Sequence, residues 1–168
     1  AGDVTRSTVP RPRGRPKDGV SAETRAKLLV EARKAFARDG YDATTNQTIA
    51  ERVGITTGAI YHYYASKGEL YAAVCEEVQR IVFGAFDQAI AGHDNLLDRY
   101  ASVLDAAVRL NHDDPSIAGF VSGIPAEAQR HPDLARLLAP QWSTHRGFFT
   151  RLVDDAVANN ELADDVDP

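Results

Sequence analysis

"TNQTIAERVGITTGAIYHYYASKGEL", Thr45 to Leu70, decides the fold. Thr45 and Thr56 each stand where a helix needs an N-cap, with a hydroxyl placed to accept one of the free N–H groups of the first turn. Gly54 between them suits the left-handed backbone that ends one helix and starts a tight turn. Ala50 is small where the two helices must cross, and Ile49, Val53, Ile55 and Ile60 fall where a small shared core needs them. The pattern predicts two short helices, "TNQTIAERVG" and "TTGAIYHYY", joined as a helix-turn-helix.

The chain reads as helical on both sides of this unit. Upstream, Ser21 is a good cap, Glu23 lies in the first turn, and Leu28, Leu29, Ala32, Ala35 and Phe36 form one apolar stripe. A first helix over 22–39, stopped by Gly40, is predicted. Downstream, Ser66 caps a long helix from near Lys67 towards Gly92, with Leu70, Val74, Val78, Ile81, Val82 and Phe86 along one side. Asp94 or Asn95 opens a fifth helix whose face is Leu97, Tyr100, Leu104 and Val108. Pro115 starts another, and Pro125, Pro132 and Pro140 punctuate the stretch that leads to the amphipathic "WSTHRGFFTRLVDDAVANN". No alternating strand pattern and no internal repeat is present. The predicted fold class is all-α. A basic arm (1–20) precedes a three-helix domain that contains the helix-turn-helix (21–66), which a long helix joins to a larger helical domain (67–168).

Composition narrows the function classes. The 168 residues are 43% hydrophobic and 26% charged, ordinary for a globular protein. No apolar run approaches the ~20 residues that cross a bilayer, and the single cysteine, Cys75, excludes an internal disulfide framework. The expected location is the cytoplasm, without a membrane partner. The net charge of -5 conceals an asymmetry. Residues 1–67 hold 12 Lys and Arg against 7 Asp and Glu, whereas residues 68–168 hold 7 against 17. A basic first third points to an anion-binding module on a body with another task. There is no Gly-rich phosphate loop, nucleophile elbow or His-Glu-x-x-His helix, so the chain is not read as an enzyme and no cofactor is expected. His112-Asp113-Asp114 reads as a solvated helix end. With scattered histidines and one Cys, no metal site is assigned.

A helix-turn-helix places the N-terminal residues of its second helix against base edges in the DNA major groove. Thr56 and Thr57 can hydrogen-bond phosphate or bases, and the Thr57 methyl can meet thymine. Gly58 allows close approach of the backbone. Tyr61, His62, Tyr63 and Lys67 carry phosphate donors. Of these, Tyr61 and Lys67 are read as phosphate contacts, His62 as a base reader or nothing, and Tyr64 as an inward core residue. "TIAERVGITTGAIYHYYASKGEL" resembles the recognition region of the tetracycline-repressor (TetR) family, with its glycine-started helix and its aromatic run before a Ser-Lys pair. "ARKAFARDGYDATT" resembles that family's first helix and following turn, and "AEAQRHPDL" a fragment of its larger domain. The resemblance implies phosphate approach by Thr45 and Gln47, and a main DNA surface of Thr56, Thr57, Gly58, Tyr61, His62, Tyr63 and Lys67. It also implies a homodimer on a palindromic operator.

"RPRGRPK", Arg11 to Lys17, then acquires a role. Its Arg-Gly-Arg core between prolines resembles an AT-hook, an extended segment that follows the narrow minor groove of A·T-rich DNA. Arg13 and Arg15 are the groove candidates, and Arg11 and Lys17 the phosphate candidates. Such an arm favours A·T-rich flanks without setting the operator.

The acidic half cannot hold DNA well. In TetR-like regulators it contains a ligand pocket and the dimer interface. Apolar and aromatic walls are what such a pocket needs, so Phe83, Phe86, Tyr100, Phe120, Trp142, His145 and Phe149 are the candidates for an unknown small apolar or aromatic effector. The expected outcome is repression relieved by that effector. The alternatives are an effector-independent architectural DNA-binder and a metal-responsive regulator. The ending "ADDVDP" reads as the approach to a further helix, which predicts a chain shortened before its dimerisation helices or a different dimer.

Overall fold

The computed structural model describes residues 17–162, without the side chains of residues 17–21, 144 and 145. Its described residues form helices α1 (Lys17–Ala43), α2 (Asn46–Val53), α3 (Thr57–Tyr63), α4 (Lys67–Ile90), α5 (Leu96–Asp113), α6 (Pro115–Arg130) and α7 (Pro132–Ala158), and no strand. The all-α expectation holds.

Local chemistry sets most of the boundaries. Thr45 and Thr56 accept the N–H of Thr48 and Ala59 at 3.1 and 3.2 Å. Ser66 Oγ accepts Glu69 N–H at 3.1 Å while the Glu69 carboxylate accepts Ala65 N–H at 2.9 Å, a reciprocal clasp that fixes the start of α4. Asn95 caps α5 in the same way. Gly54 adopts φ 81°, and its N–H and that of Ile55 both reach the Ala50 carbonyl. Lys27 Nζ donates to Val53 O at 2.8 Å, tying the end of α2 to α1.

Four expectations need correction. The first helix begins at Lys17, so Ser21 lies inside it and does not cap it; Gly40 (φ 79°, ψ 175°) breaks the helical geometry where a stop was expected, and one further turn continues to Ala43. Pro125 and Pro140 do not punctuate; they lie inside α6 and α7, and of the three only Pro132 starts a helix, as Pro115 does for α6. A proline inside a helix removes one backbone hydrogen bond, a local loss that burial of Phe120, Ile124, Leu134 and Leu138 around these sites outweighs. The Leu97, Tyr100, Leu104 and Val108 face of α5 is exposed, and Val103 and Ala106 face inward instead. These smaller residues let α5 lie close against α4 and α6.

Packing is continuous along the molecule. One core cluster joins Leu28 and Phe36 of α1, Ile49 of α2 and Ile60 of α3 to Leu70 and Val74 of α4, and on to Phe120 of α6 and Leu138 of α7. A second, around Phe86, Val103, Ala106 and Phe148, closes the far end. At the centre Tyr71 meets Phe36 edge-on at 4.9 Å and Phe120 at 4.7 Å between ring centroids. Buried Arg33 donates to Ser116 Oγ at 2.9 Å and to the Asp114 carboxylate, and Asp114 caps α6. That pair fixes α6 against α1.

Candidate functional site

The second helix of the helix-turn-helix is α3. Ile60 is its buried anchor, fully enclosed, and Tyr64 just beyond it is also in the core, as expected. With those inward, the remaining side chains face outward. Thr56, Gly58, Tyr61 and His62 are exposed, Tyr61 by 54%, and Thr57 and Tyr63 are half-buried. Tyr63 packs its ring against the core cluster and sits edge-on to His62 at 5.6 Å. A methyl group at Gly58 would meet nothing nearer than Thr56 Oγ1 at 3.8 Å, so the packing of the chain itself does not demand a glycine there. On α2, Thr45 and Gln47 are exposed, with Gln47 bonded to Glu51 at 3.1 Å. One outward surface therefore carries hydroxyls, an amide and an imidazole, all groups that bond phosphate and base edges.

Lys67 departs from the reading as a phosphate contact. Its Nζ donates to Tyr41 O at 2.7 Å and to Thr44 O at 3.0 Å, and it lies 4.3 Å from the centroid of the Tyr41 ring. The ammonium satisfies carbonyls left open where α1 breaks at Gly40. Thr44, itself buried, donates from its hydroxyl to Gly40 O at 2.7 Å, and Glu127 accepts Tyr41 N–H at 3.2 Å. Lys67 is thus the fastener of the turn that presents α2. Arg11, Arg13 and Arg15 lie outside the described residues, and of Lys17 only its place as the first residue of α1 is described.

A cavity of about 350 Å³ lies between α4, α6 and α7. Phe83, Phe86, Trp142 and Phe149 line it, four of the seven aromatic and histidine candidates. Phe120 does not: it is buried in the central aromatic cluster. Tyr100 does not either, because it points outward from α5. The His145 side chain lies outside the described residues. The other walls include Val78, Val82, Val121, Ile124 and Leu138, with Cys75, Gln79 and Gln141 as the polar groups. Gln79 Nε2 donates to Gln141 O at 3.0 Å, linking α4 to α7 across the cavity edge. A glutamine inside the apolar stripe of α4 was the sequence signal for this wall. Burial pushes the Cys75 thiol up to about 11, which keeps it protonated and unreactive at neutral pH.

Residues 28–74 match the family model described as bacterial regulatory proteins, tetR family. The HTH-type transcriptional regulator UidR of Escherichia coli (strain K12) is 26% identical over 143 residues, covering 85% of this chain and 71% of that protein. Over residues 28–74 the chain is of the TetR family. Two more comparisons extend the likeness into the larger half of this TetR-family regulator. The HTH-type transcriptional repressor KstR2 of Mycolicibacterium smegmatis is 25% identical over 149 residues, 87% of this chain and 71% of that one. The structure of Salmonella enterica GusR superposes with a TM-score of 0.72 at 28% identity, over 86% of this chain and 73% of that one. The TetR-family chain is a DNA-binding transcriptional regulator, not an enzyme. Among its described residues no helix is long and apolar enough to cross a membrane.

Proposed function

We propose that this regulator acts in the cytoplasm as a homodimeric repressor of a palindromic operator, and that a small apolar or aromatic effector in the α4–α6–α7 cavity releases it. In this reading Thr56, Thr57 and Gly58 face base edges, His62 reads a base or stays idle, and Thr45, Gln47, Tyr61 and Tyr63 meet phosphates. The arm, residues 1–20, follows the minor groove beside the operator through Arg13 and Arg15, with Arg11 and Lys17 on phosphates.

The observation that carries the reading is the placement of α4. Its first turns hold Leu70, Tyr71 and Val74 in the core beneath α1, and its next turns present Val78, Val82, Phe83 and Phe86 to the cavity. A ligand wedged between α4 and α7 therefore acts on the same helix that packs against α1 and follows α3 after residues 64–66. Release requires that the ligand bind the non-reading conformer more tightly, and a swing from 1:99 to 99:1 needs about 10⁴-fold preference. An apolar occupant suits walls whose polar groups are two glutamines and a protonated thiol.

The test is fluorescence anisotropy on duplex from the promoter of the protein's own gene, against a shuffled duplex, across a salt series, with and without residues 1–20. The native duplex should bind orders of magnitude tighter. Removing the arm should flatten the salt slope by roughly 0.9 for each phosphate that the arm neutralises. Equal affinity for both duplexes contradicts operator reading at that promoter. An effector passes only if it lowers operator affinity in the intact chain and fails to do so when Val121→Trp fills the cavity.

A further inference from the structure

The turn after Gly40 and the α6–α7 junction meet at a group that neither the DNA-facing surface nor the cavity uses. Asp42 Oδ1 lies 3.2 Å from His131 Nε2, and Glu127 Oε2 lies 3.7 Å from the same nitrogen. The three ligand atoms are all within 4.8 Å of one another. Glu127 is only 6% exposed, yet its Oε2 has no hydrogen-bond partner, and the buried His131 Nε2 has none either. A buried carboxylate oxygen and a ring nitrogen that both lack hydrogen-bond partners are costly unless a proton or a metal ion joins them.

We propose that Asp42, Glu127 and His131 form a binding site for a divalent transition-metal ion of the zinc class. Ligand atoms about 2.0–2.1 Å from a tetrahedral ion stand roughly 3.3 Å apart, close to the two separations from His131. Movement of Asp42, whose side chain is 70% exposed, by at most about 1.5 Å closes the third edge. One imidazole and two carboxylates suit zinc, nickel, cobalt or manganese, and the absence of a thiolate from the set disfavours the softer ions. Three protein ligands leave a position for water, and the exposed Asp42 edge is the route of entry.

The surroundings fit an ion. The Arg130 guanidinium forms an ion pair with the other Glu127 oxygen at 2.9 Å, and Tyr41 N–H donates to it at 3.2 Å, which orients Oε2 inward. The Tyr41 ring lies 5.0 Å from the His131 ring. Two carboxylates and one guanidinium leave a net negative site when His131 is neutral. Gly40 is required beside it: φ is 79°, and a Cβ would stand 3.3 Å from Glu127 Oε1. An ion here would staple the turn that presents α2 to the α6–α7 junction. None of the three ligands lines the cavity, and the site stands whether or not the cavity takes an effector.

The experiment is calorimetric titration of Zn²⁺ alone into the full, chelator-stripped chain, with metal analysis after desalting. One ion per chain is expected. Asp42→Asn, at an exposed position, should weaken binding roughly tenfold or more by removing one of three ligands, and His131→Gln should abolish it. His112→Gln should leave it unchanged, since that imidazole and Asp113 form a separate exposed pair. Binding that Asp42→Asn and His131→Gln leave intact, binding that His112→Gln abolishes, or no uptake at millimolar Zn²⁺ each overturns the proposal.

Discussion

Lys67 separates two kinds of lysine, one that meets DNA and one that builds the head. In Lys67→Met the stem keeps its packing while the ammonium disappears. With it go bonds of 2.7 and 3.0 Å to the carbonyls of Tyr41 and Thr44 and the cation over the Tyr41 ring. A hydrogen bond from a charged donor contributes about 1.5–3 kcal/mol when buried. This group is half-buried, so each belongs at or below the low end, and an exposed cation–π contact adds about 0.5–1 kcal/mol. The sum is about 2–4 kcal/mol. At roughly 2–4 °C per kcal/mol for a chain of this size, Tm should fall by roughly 4–16 °C in a circular dichroism melt. Operator binding supplies the second reading. A lysine on phosphate contributes about 0.9 to the slope of log affinity against log salt, and a fastener contributes nothing. At a temperature where Lys67→Met is folded, its slope should match the parent. An unchanged Tm with a slope flatter by one phosphate would refute the fastener role and restore the phosphate reading.

Gly58→Ala isolates the DNA-facing demand for glycine: with room for a methyl in the free chain, stability should hold or rise by up to about 1 kcal/mol of helix propensity. Operator affinity measured by anisotropy should fall, and unchanged affinity would place the α3 backbone away from DNA. Asp114 predicts an acid limb: burial pushes its carboxyl up, but the Ser116 hydroxyl, the Arg33 guanidinium and the Ser116 N–H outweigh this and hold it below the usual range. Its stabilisation is therefore complete above about pH 4 and disappears as pH falls through the lowered value; urea midpoints should drop there, and Arg33→Met should shrink the limb, leaving the part due to Ser116, and cost about 3 kcal/mol at neutral pH. Cys75, the chain's single thiol, should react with a disulfide reagent at pH 8 roughly 100-fold or more slowly than a free thiol, given its suppressed thiolate; free-thiol rates would mean that the cavity opens widely.

The features legible in the sequence were those that nearest-neighbour chemistry decides. The caps at Thr45, Thr56, Ser66 and Asn95 each act on an N–H three residues away, and Gly54 on its own backbone, so a short window contains the whole cause. The aromatic wall of α4 was legible in part, because Phe83 and Phe86 lie on a stripe whose neighbours are apolar. The features that escaped needed a distant partner. Helix α5 offers two apolar faces, and only the fit of Val103 and Ala106 against neighbouring helices chooses between them. Phe120 and Trp142 look alike as candidates, and the choice between core and cavity rests on where Tyr71 and Phe36 stand. Lys67 reads as surface charge until the Gly40 break puts two carbonyls beside it. Asp42 and Glu127 are 85 positions apart, and no spacing rule joins them to His131.

The boundary between head and body is likewise a matter of sequence texture more than of packing. Charge changes sign near residue 67, where the chain passes from a basic to an acidic balance. The core does not divide there: Leu28, Ile49 and Ile60 share one cluster with Leu70, Val74, Phe120 and Leu138. Two independent globules would need a mobile hinge to communicate, and their coupling would be weak. A single packed cluster has few voids and low compressibility, so displacement of α4 by a cavity occupant is transmitted to α1 and α3 instead of being absorbed between them. The Arg33–Asp114 pair and the Lys67 fastener add polar ties on either side of that core. In the proposed switch, coupling would stem from the absence of a soft layer between the outward surface of α3 and the cavity behind it.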